Sequence, residues 1–366
     1  MRQFGKRVAV VATAGLLAMT GVTGCGSMNN NAVVAVVGDE NITMGVANFY
    51  VRMQQAQYET YYAAMMGMTG EEMWKQEFEA GKTYESSTKA SLLESLENLF
   101  LISQHAADYN ISLSANDHKA IEKAAEEFIG NNTTEDLEVI SGQEKNVKKF
   151  LELSTIAFRM DAEMRKGVDE EVSDDEARQK SMQYVFFSYV KTAADGSSEL
   201  MTDEEQAALK AQVQEFLDKV NASDNKDMAA PAAELGIEVQ TATFDAQSTS
   251  PDAGLIAAAD AVAAEGELTG LVETANGIYI GKVTSLLDRE ATDSKKTQII
   301  NERKQAQYDS LLKQWREETT ITQKTRVWNK ISLINQGVTI YVPEETNTEN
   351  TTEETNDTAN DTTEQK

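Results

Sequence analysis

Three prolines in 366 residues, Pro231, Pro251 and Pro343, leave the first two hundred positions with none. Proline removes a backbone donor and breaks helix interiors, so this stretch is free to form helices of many turns. Apolar residues recur there at helical spacing. Val46, Phe49, Tyr50 and Met53 share one face of a segment opening after Thr43, which sits where an N-cap would. A second helix is predicted over 86–109, with Leu92, Leu96, Leu99 and Ser103 along one face and Leu93, Phe100 and Ala107 beside it. Ser114 followed by Asp117 is a capping-box signature for a third. Phe150, Ile156, Phe158 and Met160 mark a fourth over 144–167, and Ser173 with "DDEAR" predicts one short helix more. Only "AVVAVVGDENIT" (32–43) reads as strand, two short extended pieces turning at Gly38 and Asp39. The expectation is a helical lobe introduced by a strand pair.

The pattern changes after Gln179. Strand-like runs at 183–190, 237–244 and 277–287 alternate with helical ones at 202–221 and 226–235, the order of a small α/β domain over 179–289. Residues 298–331 return to helix, with Tyr308, Leu311, Leu312 and Trp315 on one face. The fold class read from this order is α+β. A helical lobe would be built from 32–178 and 290–343, interrupted by the smaller domain, and about 310 residues suffice for two cores.

The two ends differ in kind. Arg2, Lys6 and Arg7 precede an uncharged apolar run over 8–22, the length of an export-signal core and short for a membrane span. The run ends in Val22-Thr23-Gly24-Cys25, which contains the only cysteine and resembles the lipobox of bacterial lipoproteins. That resemblance implies a diacylated Cys25, cleavage just before it, a signal peptide over 1–24 set apart from the fold, and a tether over 25–31. Two acyl chains give stable anchoring where one gives marginal anchoring. At the other end, 344–366 carries eight acidic side chains and one lysine with nothing larger than Ala359 among its aliphatics, so it is expected to be disordered.

Removing residues 1–24 deletes three positive charges and no negative one, taking the net charge from −27 to −30. So acidic a chain disfavours nucleic acid and anionic head groups as partners.

Three segments resemble exported foldases of the PrsA and SurA type, in which a helical chaperone lobe is interrupted by a parvulin domain. "VAVVGDENITMGVANFY" is similar to the opening strand, turn and helix of their lobe. "EGELTGLVETANGIYIGKV" (265–283) is similar to the closing segment of a parvulin domain, and "YDSLLKQWREETTITQKTRVWNKI" to the return helix. The resemblance implies an extracytoplasmic, lipid-anchored protein that binds unfolded exported chains and needs no cofactor. It also implies two histidines in the parvulin sheet, where this chain has Tyr184 and Tyr279. A tyrosine near pKa 10 is a poor proton-transfer group at neutral pH, although twisting an imide needs no covalent chemistry. The parvulin-like domain is therefore expected to be non-catalytic, with a remodelled isomerase as the alternative. A solute-binding or structural envelope lipoprotein is a further alternative.

Other chemistry has little to stand on. His105 and His118 are the only histidines and no thiol is left to join them, so no metal site is expected; phosphate-loop and nucleophile-elbow motifs are absent. Six of the 14 methionines fall between Met44 and Phe78. Flexible, polarizable methionine suits surfaces that accept many sequences. Within "YETYYAAMMGMTGEEMW", Tyr58, Tyr61, Tyr62, Met65, Met66, Met68 and Trp74 are the candidate client contacts.

Overall fold

Helices in the first half begin on side chains placed to cap them. Thr43, Thr83, Ser114 and Thr133 each accept a hydrogen bond from the backbone N–H three residues on. Ser114 and Thr133 form reciprocal boxes with Asp117 and Asp136, satisfying two orphan donors at each helix start. The helices so begun are Met44–Gln57, Tyr84–Gln104, Ala115–Asn131 and Thr134–Val139. A further long helix covers Glu144–Met164. The computed structural model describes residues 17–20, 28–193 and 195–340. Cys25, the remainder of the leader and the acidic tail at 344–366 lie outside the described residues.

The chain is mixed helix and sheet and divides into two compact units. One comprises Met1–Glu163 and Leu312–Lys366; the other is Met164–Leu311.

In the first unit, the helix Met44–Gln57 is buried on almost every side. Phe49 meets Phe128 and Phe150 edge-on, with ring centroids 5.4 and 5.5 Å apart. Met53, Ala56, Ile140, Val147 and Val338 complete that core. The opening hairpin pairs Val33–Val37 with Glu40–Thr43 across Gly38, whose φ of +56° suits a residue without a Cβ.

A third strand, Ile321–Gln323, adds to this hairpin, with Ile321 opposite Val37. The helix expected over 298–331 therefore does not run through: Arg289–Glu318 is helical, and the chain then becomes extended. Thr319, Thr320, Ile321 and Thr322 are all β-branched, and the free edge of Val33–Val37 gives their backbone a partner. The helix predicted over 86–109 also stops early, at Gln104, and a short 3₁₀ turn, Ala106–Tyr109, follows.

Leu17–Thr20, within the leader, forms a strand antiparallel to Gly337–Ile340.

The second unit is built on a four-stranded antiparallel sheet in the order Leu268–Thr274, Gly277–Ser285, Lys180–Ser188, Gln240–Phe244. Alternation along the strands gives it two apolar faces. On one, Val185, Phe187, Ile278 and Ile280 pack against Val213, Phe216, Leu217 and Val220 of the helix Asp203–Ala222. On the other, Met182, Tyr184, Tyr279 and Val283 pack against Leu255, Ile256 and Ala259 of Ala253–Asp260. Gly277 is required in the central strand: a Cβ there would stand 2.1 Å from the Phe187 carbonyl oxygen.

The short helix predicted after Ser173 is instead a turn closed by Ser173 Oγ accepting from Glu176 N–H at 3.1 Å. Its acids are drawn to the long helix. Lys296 and Arg289 hold the Asp174 carboxyl down to about 2, and Arg303 pairs with Glu176.

Candidate client-binding surface

The surface begins where the buried helix Met44–Gln57 passes into a π-helical turn, Tyr58–Ala63. Such turns carry one extra residue and often mark functional positions. Here the turn separates inward from outward side chains. Glu59 is buried, whereas Tyr61 and Tyr62 are 60% and 50% exposed, and Met65 and Met66 are 76% and 43% exposed. Thr69 then caps Gly70–Lys75 through a capping box with Glu72.

Below the exposed ledge lies an aromatic base. Tyr58 contacts Tyr62, Trp74 and Tyr84 with ring centroids 5.3, 5.7 and 6.3 Å apart. Trp74 stacks on Tyr84 at 5.4 Å. Trp74, expected on the contact surface, is fully buried; its indole N–H donates to Glu59 Oε1 at 2.7 Å. A buried indole seeks such a partner, and this one anchors the tryptophan in the core. Tyr58 and Met68 are half-buried, and Met68 Sδ accepts a hydrogen bond from Gln76. Phe78, 60% exposed, stands on a short neighbouring hairpin, Glu77–Glu79 with Lys82–Thr83.

A polar network fixes the base from beneath, and it was not singled out from sequence. Arg52 Nη1 donates to Gln55 Oε1, and Gln55 Nε2 donates to Glu59 Oε1 at 2.6 Å. Arg52 also donates to the carbonyls of Ser332 and Gln336, and Gln55 to those of Leu333 and Gln336. Glu59 Oε2 accepts from Val338 N–H at 2.8 Å. Burial pushes the Glu59 carboxyl above its ordinary value, against hydrogen bonds from Gln55, Trp74 and Val338. Burial lowers the Arg52 guanidinium to about 10, still a cation at neutral pH. Gly70 leaves room for this arrangement, since a Cβ there would lie 2.7 Å from Glu59 Cδ. The sequence signal was Arg52, Gln55 and Glu59 on one side of a helix otherwise rich in apolar residues.

In the second unit, Tyr184 and Tyr279 lie on the two central strands with ring centroids 6.1 Å apart. The Tyr184 hydroxyl donates to Gln240 Oε1 on the next strand. Tyr279 stacks on Phe186 at 4.4 Å, and burial, then Asp252 and Tyr184, raises its hydroxyl pKa. At 8% and 9% exposure both rings are part of the sheet's packing. The raised Tyr279 hydroxyl can donate a hydrogen bond but does not act as a base at neutral pH.

The histidines have ordinary structural partners. His105 stacks on Trp315 at 4.2 Å and His118 Nδ1 lies 3.7 Å from Glu152. Among the described residues, no three His, Cys, Asp or Glu side chains come together as metal ligands. Among the same residues, no helix is long and apolar enough to cross a membrane.

No protein-family model and no curated protein matches the chain. Among solved structures it is similar to the peptidylprolyl isomerase PrsA of Bacillus anthracis at 15% identity, over 62% of this chain and 96% of that one, with a TM-score of 0.24. It is similar to foldase protein PrsA of Streptococcus pneumoniae at 14% identity, over 70% and 97% of the two chains, TM-score 0.24. The PrsA foldase of Lactococcus lactis gives 13% identity over 81% of this chain and 98% of its own, TM-score 0.29.

Proposed function

We propose that this protein is an extracytoplasmic chaperone or foldase, held on the outer face of the cell membrane by lipid on Cys25, which binds unfolded exported polypeptides. The observation that carries the reading is the ledge of Tyr61, Tyr62, Met65 and Met66, exposed on a base fixed by Trp74, Tyr84 and Glu59. Large apolar side chains grouped in water mark binding surfaces. Methionine and tyrosine accept varied partners at modest ordering cost, as a surface for many clients requires. Transient cover over apolar segments slows the association of folding intermediates.

The parvulin-like unit serves in this reading as scaffold or second surface and does not catalyse isomerisation. Support comes from the packing of Tyr184 and Tyr279 against the sheet's core, where both are buried. Acceleration of proline-limited refolding, abolished by Tyr184→Phe with Tyr279→Phe, would reverse that assignment.

The test of the main reading is suppression of aggregation of a chemically denatured exported enzyme on dilution. The purified protein should reduce light scattering at stoichiometric ratios. Tyr61→Ser, Tyr62→Ser, Met65→Ser and Met66→Ser together should remove most of that effect while leaving tryptophan fluorescence native. Undiminished suppression by the fourfold variant would refute the ledge as the binding surface.

A further inference from the structure

Glu85 and Lys89 stand one turn apart on the helix Tyr84–Gln104 and so share a face of it. With Ala90 and Leu93 of that helix, and with Trp328 and Asn329 from a distant part of the chain, they line a cavity of about 330 Å³. Leu93 and Trp328 are buried and give it an apolar floor, whereas Ala90 and Asn329 are exposed at its rim. The volume is at the small end for ligand sites, enough for one large side chain with its backbone.

The charged groups of the cavity are only partly used. Lys89 Nζ donates to the Ile331 carbonyl and stands 6.0 Å from the centre of the Trp328 ring; among the described residues it has no carboxylate partner. An ammonium has three donors, so two remain. Glu85 Oε1 accepts from Leu333 N–H at 2.6 Å. Burial, the largest influence, lowers the Lys89 pKa, with Glu85 opposing and Arg52 adding to it. An anion brought beside the ammonium offsets that desolvation. Lys324, Arg326 and Lys330, next in sequence to the lining residues Thr325 and Asn329, are exposed and also lack carboxylate partners among the described residues. Unpaired cations thus gather at one cavity in a chain whose net charge is −27.

We propose that this cavity binds the carboxyl-terminal residue of an unfolded exported polypeptide, its carboxylate on Lys89 and its apolar side chain against Leu93 and Trp328. This rests on the foldase reading and gives it a second contact of different chemistry. One ammonium above an apolar floor matches a terminal residue, which carries carboxylate and side chain on a single carbon. An acidic side chain within a client brings the charge without the apolar body. The exposed rim lets the rest of the client leave toward solvent. Tyr84, the first residue of the same helix, stacks on Trp74 beneath the ledge, so cavity and ledge are built on one helix start.

The experiment measures, by fluorescence anisotropy, binding of an amino-terminally labelled peptide, Gly-Ser-Gly-Ser-Gly-Phe, to the purified protein. The peptide is used as the free acid, as the carboxamide, and as the free acid with serine in place of phenylalanine. The phenylalanine free acid should bind at least about tenfold more tightly than either of the others. Lys89→Met should bring the free acid down to the carboxamide level and change carboxamide binding less than about twofold. Tryptophan fluorescence establishes that the variant is folded, and the comparison of peptides on the wild type stands without it. Equal binding of acid and carboxamide, equal binding of the phenylalanine and serine ends, no binding at all, or an acid preference that survives Lys89→Met overturns the proposal. Free phenylalanine displacing the peptide at or below the peptide's own dissociation constant assigns the cavity to a small solute and also overturns it. The foldase reading is judged separately by aggregation suppression. Suppression without an acid preference leaves that reading and removes this one; an acid preference without suppression leaves a chain-end site and removes that reading.

Discussion

Replacing Glu59 by glutamine takes an acceptor from a carboxylate that serves three donors. Oε1 accepts from Gln55 and Trp74, and Oε2 accepts from Val338 N–H. A glutamine amide keeping its oxygen toward Gln55 and Trp74 sets its NH2 group against Val338 N–H, leaving a buried backbone donor without an acceptor. The reverse orientation strands two donors, so the first is cheaper. An unsatisfied buried N–H costs about 1–3 kcal/mol. The substitution also withdraws the negative charge that favours the buried Arg52 cation, partly replaced by Glu85. Together these give an expected loss of about 2–4 kcal/mol at neutral pH.

The three tryptophans, Trp74, Trp315 and Trp328, all lie in the first unit, so urea unfolding followed by their fluorescence reports that unit selectively. The pH dependence has a definite sign. Because the folded carboxyl lies above its ordinary 4.5, the folded chain holds the proton more tightly, and wild-type stability falls as pH rises from 4.5 through the raised value. Glu59→Gln lacks this term, so the gap between wild type and variant is widest in acid and narrows with rising pH. A loss below about 0.5 kcal/mol at neutral pH, within the range of ordinary surface substitutions, would refute the account of a strand held by a buried carboxylate.

Asp117 tests the opposite sign. Its carboxylate accepts two hydrogen bonds from Arg159 and one from Ser114 N–H, and Arg159, the larger influence, together with Ser114 holds it well below the usual carboxylate range. Asp117→Asn should cost about 2 kcal/mol at neutral pH by urea unfolding, and the gap should close as pH falls below about 4 through the depressed folded value. Gly70→Ala places a methyl 2.7 Å from Glu59 Cδ and should destabilise the first unit by about 1–3 kcal/mol, with a change in Trp74 emission. Gly277→Ala drives a methyl into the Phe187 carbonyl and should disrupt the four-stranded sheet by about 3 kcal/mol or more, read as earlier proteolysis within Met164–Leu311.

What could be read directly from the sequence was local. Thr43, Ser114 and the turn at Gly38 do what their residue types permit within three or four positions, where physics depends on nearest neighbours. The apolar spacing that placed Phe49 and Met53 on one face, and the alternation over 237–244 where Gln240–Phe244 is a strand, follow from helix and strand periods alone. The exposed part of the ledge was visible as composition, but composition could not separate Tyr61 and Met65 from Trp74. Their exposure depends on a π turn and on the distant Val338 N–H that draws Glu59, and with it Trp74, inward.

Tertiary structure decided the rest wherever a segment's partner lay far along the chain. The stretch at 319–323 left the helical pattern because the edge of Val33–Val37 was there to pair with it. Arg52, Gln55 and Glu59 became a core network because residues 332–338 bring backbone groups within reach. Leu17–Thr20 pairs with Gly337–Ile340, more than three hundred residues away. Backbone donors and acceptors must be satisfied wherever they are buried, and which groups satisfy them is settled only when the chain closes on itself.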